Sequence, residues 1–88
     1  MFGNKGKKAK NKNLPAYEDS RDIAATGDVD KRLWLASQEG LPPEFLYLFA
    51  TDKAEGVRMA VAGNEYTPLQ ADAILATDES EDVRVELA

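Results

Sequence analysis

A segment of 26 residues occurs twice in this chain, and this repeat constrains the fold more than any other feature of the sequence. Aligning residues 57–88 with residues 31–62 without a gap gives 11 identities in 32 pairs. Unrelated sequences of ordinary composition would share about two. Other pairs are conservative, such as Leu35 with Val61. A period in this range is typical of solenoid proteins, in which each repeat is one supersecondary unit packed on its neighbours.

One half of each unit predicts a short helix that begins at a proline. In residues 67–78, TPLQADAILATD, we expect Thr67 to cap the helix, with Pro68 at the first helical position and Gln70 completing a capping box. The apolar residues that follow have helical spacing and predict one buried face. These residues are Ala71, Ile74 and Leu75 in the later unit and Phe45, Leu48 and Phe49 in the earlier one.

The other half of each unit predicts a second helix. The spacing D-x-x-E, at Asp52 and Asp78, predicts a capping box at both starts, and Gly63 with Asn64 predicts a helix end. We interpret Trp34 as a core residue rather than a binding residue, because aromatic side chains at helical spacing usually pack inside. The predicted inward face comprises Val57, Ala60, Val61 and Asn64, with their equivalents Lys31, Trp34, Leu35 and Gln38 upstream and Val83, Glu86 and Leu87 downstream.

Upstream of the repeat, LPAYEDSRDIAATGDVD predicts a degenerate capping helix. Tyr17, Ile23 and Ala24 are expected to pack, and Gly27 is expected to end the helix. This segment matches the repeat poorly, as terminal units usually do. The sequence therefore predicts an all-α helical domain over residues 14–88, with about 2.5 helix pairs after the capping helix.

The pattern VRMAVAGNEYTPLQADAILATDESEDVR resembles the leucine-rich repeat variant (LRV) family, a HEAT-like helical repeat. The resemblance is good over residues 57–88, fair over 31–56 and poor before that. It implies a short right-handed α-solenoid in which an α-helix alternates with a second, shorter helix that is often 3₁₀. It implies no particular activity. The residues that carry it are Val57, Arg58, Val61, Ala62, Asn64, Thr67, Pro68, Leu75, Ala76 and Asp78.

Charge is distributed unevenly along the chain. Residues 1–13 contain no acid and five lysines: Lys5, Lys7, Lys8, Lys10 and Lys12. This composition predicts a disordered basic tail, which we interpret first as a solvated terminus and second as an arm that binds anions. Residues 14–88 hold the other six basic residues and all 16 acidic residues, a formal charge of −10. The helical domain is therefore expected to be strongly acidic.

The composition excludes several classes of chemistry. Histidine and cysteine are absent, which excludes disulfides, cysteine or histidine catalysis and cysteine-ligated metals. The acidic run DESED, residues 78–82, lacks the spacing of an EF-hand and is interpreted as helix-capping acids. We predict that the protein is not an enzyme and has no cofactor or metal. No apolar run approaches the roughly 20 residues that cross a bilayer, so we predict a cytoplasmic protein without a membrane partner.

Three residues stand out as candidates for protein binding. Arg58, which recurs as Arg32 and Arg84, either lines a surface that grips acidic groups or pairs with carboxylates between units; the second interpretation is favoured for a residue repeated in a solenoid. Tyr47 and Tyr66 lie off the main apolar stripe and are predicted to be exposed at a recognition surface.

The sequence favours a protein-interaction or scaffold module that presents an acidic, curved helical surface to a basic or amphipathic segment of another protein. The alternative is a nucleic-acid-associated protein that binds through the lysines of residues 1–13. Val83 and Leu87 are expected to lack a covering unit at the C-terminal end. Of three possible outcomes, we expect a longer array or self-association of two chains through this end rather than a last helix that folds over.

Overall fold

The computed structural model describes residues 11–88, and in this range the chain forms six α-helices and no β-strand. The all-α prediction is therefore confirmed. Each helix is of the α type, so the 3₁₀ form expected for the second helix of a unit does not occur in the described range. The helices are α1 (Tyr17–Thr26), α2 (Val29–Ala36), α3 (Pro43–Phe49), α4 (Glu55–Gly63), α5 (Leu69–Leu75) and α6 (Glu81–Leu87).

The helices start at intervals of 26 residues. Tyr17, Pro43 and Leu69 begin α1, α3 and α5, and the same interval separates the starts of α2, α4 and α6. Helix α1 thus starts in register with the repeat, although its sequence matches poorly. Helices α1, α3 and α5 contact one another in one row, and α2, α4 and α6 contact one another in a second row. We call these the first row and the second row.

The hydrophobic core lies between the two rows. Helix α1 covers one end of it with Ile23 and Ala24, and it ends at Gly27, as predicted. Helix α4 ends at Gly63 with Asn64 as its C-cap, also as predicted. The fully buried core side chains include Leu35, Leu46, Phe49, Val57, Val61, Ala71, Leu75 and Val83.

Several predicted positions were wrong. Leu48 is 52% exposed, and Leu46 occupies the core position of α3 instead. Tyr17 is also exposed, although its ring contacts Phe45 with 5.0 Å between ring centroids. Val83 is fully buried without any further unit, because α4 and α5 already cover this side of α6.

Trp34 is not a core residue, because 42% of its surface is exposed. Its two repeat equivalents are Ala60, which is partly buried, and Glu86, which is exposed. This helix position faces solvent in the first and last units, whereas Ala60 in the middle unit packs against the core. The core of α2 consists instead of Leu35 and Ala36.

The predicted capping boxes do not form. The Thr67 hydroxyl donates to the Val61 carbonyl at 2.8 Å, and α5 begins one residue later than expected, with Pro68 as its N-cap. The Asp52 carboxylate accepts from the Ala54 backbone N–H at 2.8 Å, one turn before α4. Ser80, rather than Asp78, caps α6. The aspartates therefore shape the turns that precede the helices and do not cap them.

These aspartates also bind the arginine of the preceding second-row helix. The Nε of Arg32 lies 2.8 Å from Asp52 Oδ2, and the Nε of Arg58 lies 2.7 Å from Asp78 Oδ2. In each pair the Nη2 group reaches the other carboxylate oxygen, at 3.2 Å and 3.3 Å. The two bidentate pairs have the same spacing of 20 residues along the chain, so they repeat one connection between consecutive units.

Both carboxylates have a lowered pKa. Burial by itself raises the pKa of Asp52 and of Asp78, but hydrogen bonds from the arginine and from a backbone N–H outweigh it. Because the folded-state pKa lies below the unfolded one, the pairs contribute stability above the ordinary aspartate pKa of about 3.9. That contribution is lost as the pH falls through the lowered folded-state pKa.

We predict a coupling free energy of about 2 kcal/mol between Arg58 and Asp78, which lies between exposed and fully buried pairs. The side chains are only 12% and 7% exposed, so removing one partner leaves the other charge poorly solvated. A double-mutant cycle of Arg58→Met and Asp78→Asn, read by urea unfolding, measures the coupling. Asp78→Asn keeps the acceptor for Ser80 and should also reduce the loss of stability in acid. A coupling below about 0.5 kcal/mol would contradict the prediction.

Two asparagines connect the turns of adjacent units. Asn64 Nδ2 donates to the carbonyls of Ala36 and Gln38 at 2.9 Å and 3.3 Å. Asn11 Nδ2 donates to Gln38 Oε1 at 3.1 Å and to the Glu39 carbonyl at 3.0 Å. Asn11, which the sequence analysis assigned to the basic tail of residues 1–13, therefore contacts the helical domain. Lys5, Lys7, Lys8 and Lys10, and most of the predicted basic tail, lie outside the described residues.

Ser20 is buried in α1, and its hydroxyl has no hydrogen-bond partner among residues 11–88. We predict that Ser20→Ala raises the free energy of unfolding by about 0.5–1 kcal/mol, because it removes an unpaired polar group and improves helix propensity. Thermal unfolding followed by circular dichroism measures this. Destabilisation by Ser20→Ala would show that the hydroxyl has a partner in solution.

Candidate protein-binding surface

Arg58 does not lie free at the surface. Its guanidinium binds Asp78 and also donates from Nη1 to the Asp52 carbonyl at 2.8 Å. Arg32 donates in the same way to Gly27. Arg84, the third arginine of the series, is exposed and donates from Nη1 to the Asp78 carbonyl. The described contacts of Arg58 connect units of this chain, and its predicted binding of another protein stays a prediction.

Tyr47 lies in an apolar groove on the first row. It is exposed, and it lines a cavity of about 530 Å³ together with Pro43, Glu44, Pro68 and Gln70. The N-terminal ends of α3 and α5 form the two walls of this groove. Proline is favoured at helix starts, and Pro43 and Pro68 also provide apolar walls for this groove.

Tyr66 lies at the other predicted site, beyond the C-terminal end of α4. Its hydroxyl donates to Glu39 Oε2 at 2.8 Å, across adjacent units. With Ser37, Asn64 and Glu65 it lines a cavity of about 310 Å³. The hydrogen bond to Glu39 raises the pKa of the Tyr66 phenol, and burial and the charges of Glu39 and Glu65 add to the effect. The structure thus places Tyr47 on α3 and Tyr66 in the loop after α4, where they line different cavities.

Sequence reasoning missed a shallow groove on the outer face of the second row. We call it the trough. Its floor is α4, which presents small side chains, and its walls are the exposed apolar side chains of α2 and α6. Its members are Leu33, Trp34, Gly56, Met59, Ala60, Gly63 and Val85.

Two signals in the sequence pointed to this face. Leu33, Met59 and Val85 share one repeat position and are all apolar, although none belongs to the predicted inward face. The equivalent of Trp34 in the last unit is Glu86, a residue that rarely enters a core. A glutamate at this position indicates that the last unit turns it toward water.

Among residues 11–88, no group of three or more acidic side chains has the arrangement of a metal site. No described helix is both long enough and apolar enough to cross a membrane.

Comparison with known proteins finds no matching family model, no matching curated protein and no matching solved structure. The class of the protein therefore rests on its own geometry. That geometry is an all-helical chain whose helix starts and interhelical ion pairs recur at one spacing.

We predict that Glu39→Gln lowers the pKa of the Tyr66 phenol toward its ordinary value, because the neutral amide no longer favours the protonated phenol. A pH titration of the tyrosine ring carbons by NMR measures this pKa. Glu44→Gln is the matched control, because the Glu44 carboxylate accepts from the Tyr17 hydroxyl at 3.0 Å and raises the pKa of that phenol instead. An unchanged Tyr66 titration in Glu39→Gln would show that the hydrogen bond is absent in solution.

Proposed function

We propose that this protein is a non-enzymatic interaction or scaffold module that binds a basic or amphipathic segment of another protein. The proposed architecture is a short right-handed α-solenoid of the LRV type. Its support is the interval of 26 residues between helix starts and the two equivalent arginine–aspartate pairs. In a solenoid each unit contacts only its neighbours, and the units together present one extended surface.

One observation carries the functional proposal: the acids face solvent, and two of the arginines do not. Thirteen of the 16 acidic side chains are exposed. Arg32 and Arg58 are held in ion pairs inside the domain. Each of these arginines is neutralised by an aspartate, so the pairs cancel and the surface keeps the excess of acidic side chains. Such a field steers a cationic segment toward the protein and raises its association rate.

The predicted site residues fit this role to different degrees. Tyr66 lies among carboxylates, where a partner lysine or arginine gains from both charge and the aromatic face. Tyr47 offers an apolar contact in the groove of the first row. Arg58 contributes by holding the units together, because its guanidinium is already bound to Asp78.

The alternative function, binding to nucleic acid through the basic tail, has little support among the described residues. Lys12 is exposed, whereas Lys5, Lys7, Lys8 and Lys10 lie outside the described range. The acidic surface of the helical domain would repel a polyanion. Self-association through the C-terminal end also loses its main argument, because Val83 is already buried.

We predict that the full chain binds a synthetic amphipathic helix of leucine and lysine and does not bind duplex DNA. Association should slow by roughly tenfold from low to high salt, because steering by surface charge is screened. Fluorescence anisotropy of the labelled peptide measures both rates. A peptide of the same composition in scrambled order, which keeps the charge and loses the apolar face, is the control. Binding of DNA but not of either peptide would favour the alternative function.

A further inference from the structure

In the trough on the second row, side chains of α2 and α6 approach the glycines of α4. Leu33 Cδ1 lies 3.2 Å from the point where a Cβ on Gly56 would stand, and the Glu86 carboxylate lies 2.9 Å from the equivalent point on Gly63. The side chains of α2 and α6 thus lean over the glycines of α4 from both sides. Small residues keep the floor low, and larger ones form the walls.

The walls of the trough are apolar and accessible, apart from Glu86, whose carboxylate lies over Gly63. Trp34 is 42% exposed and Val85 is 64% exposed. Helix α2 adds Leu33 to the same wall, and α4 contributes the partly buried Met59 between them. Met59 packs against the hydrophobic core, whereas Leu33, Trp34 and Val85 do not belong to it. Exposed apolar side chains gathered on one face are the usual mark of an interaction site.

Carboxylates outnumber cationic side chains beside the apolar strip. Asp30, Asp82 and Glu86 are exposed on the same helices as the wall residues, one turn or less away from them, against Lys31 and Arg84. Glu39 and Tyr66 lie where the C-terminal ends of α2 and α4 meet, beside Ser37 and Gly63. The complementary ligand is therefore apolar along its centre and cationic on its flanks.

We propose that the trough binds a single amphipathic α-helix of a partner protein, which crosses α2, α4 and α6 with its apolar face on Trp34 and Val85. Adjacent packed helices lie about 8–10 Å apart, so crossing three of them takes about 20 Å, or roughly 13 residues of helix. Apolar side chains of the partner recur at intervals of three, four or seven residues, and its lysines or arginines face the carboxylates of the rim. This inference rests on the proposed function and names its surface and the chemistry of its partner.

The charge of the trough distinguishes it from the groove at Tyr47. That groove has one carboxylate, Glu44, which already accepts the Tyr17 hydroxyl. The trough has a carboxylate at each end of its apolar strip, on α2 and on α6. A cationic amphipathic helix gains more from the second arrangement, because both its apolar face and its flanking charges are matched.

The test uses the full chain and the leucine–lysine helix described above, synthesised without tryptophan. Trp34 is the one tryptophan of the protein, so its fluorescence reports directly on the trough. Binding should shift the emission to shorter wavelength, because the partner removes the indole from water. Calorimetric titration of Trp34→Ala should show a loss of affinity of about tenfold or more, the usual effect of removing an aromatic anchor.

Matched variants show which of the two rows binds the helix. Val85→Asn should weaken binding severalfold, whereas Leu69→Asn, at an 81% exposed position of the first row, should leave it unchanged. Asp82→Asn with Glu86→Gln should slow association and flatten its salt dependence. Circular dichroism confirms that each variant is folded; all the substituted side chains are exposed, so little change in stability is expected.

The outcomes distinguish this inference from the proposed function. If the helix binds but Trp34 emission does not move and Tyr47→Ala removes the binding, the trough is not the site, although the protein remains an interaction module. If no peptide binds, both proposals fail. If light scattering shows a dimer that Trp34→Ala dissociates, the trough is covered by a second copy and the inference is overturned. The inference requires that the basic tail does not bind the probe. Deletion of residues 1–10 should therefore leave the affinity unchanged or raise it.

Discussion

The six helices are too short to be stable alone, and this constraint governs the rest of the structure. They contain between 7 and 10 residues, whereas isolated helices shorter than about 12–15 residues are marginal in water. Each helix therefore depends on burying an apolar face against its neighbours. The most extensive contacts between helices lie along the second row, from α2 to α4 and from α4 to α6. Stability in this chain is thus a property of consecutive units and not of any single helix.

Apolar packing alone does not fix how consecutive units are oriented, and the two aspartates supply that information. Asp52 accepts from the backbone just before α4 and from the guanidinium of α2. One side chain thereby sets both the turn and the position of the preceding helix. Asp78 does the same for α6 and α4. Because a bidentate pair tolerates little change in geometry, repeating it gives successive units the same relative placement.

The same two residues show how far the sequence allowed prediction. Period and turn signals located the starts of α3, α4, α5 and α6 to within about two residues, because proline, glycine and the apolar spacing act locally. The role of Asp52 was misread as a helix cap, because its partner Arg32 lies 20 residues away and the choice depends on tertiary contact. Likewise, spacing could not decide between Leu46 and Leu48 for the core, because both are leucines of one short helix.

The candidate site was harder to predict, for a physical reason. A repeat shares its inward positions because every unit must pack on the next, but its outward positions are free to differ. Position 34 carries tryptophan in one unit and glutamate in the last, and only the second residue type reveals that the position faces water. Tyr47 and Tyr66 are exposed, as predicted. Their exposure could be predicted because neither residue fits the apolar spacing.

The distribution of charge links the fold to the proposed partner. Arg32 and Arg58 pair with Asp52 and Asp78, so the interactions that hold units together carry no net charge. Among residues 11–88 the other acids form no ion pair of this kind, and most of them face solvent. The excess of acidic over basic side chains therefore remains at the exterior of the helical domain. An acidic exterior around an apolar strip repels another acidic surface and attracts a cationic one, so the surface charge selects the ligand.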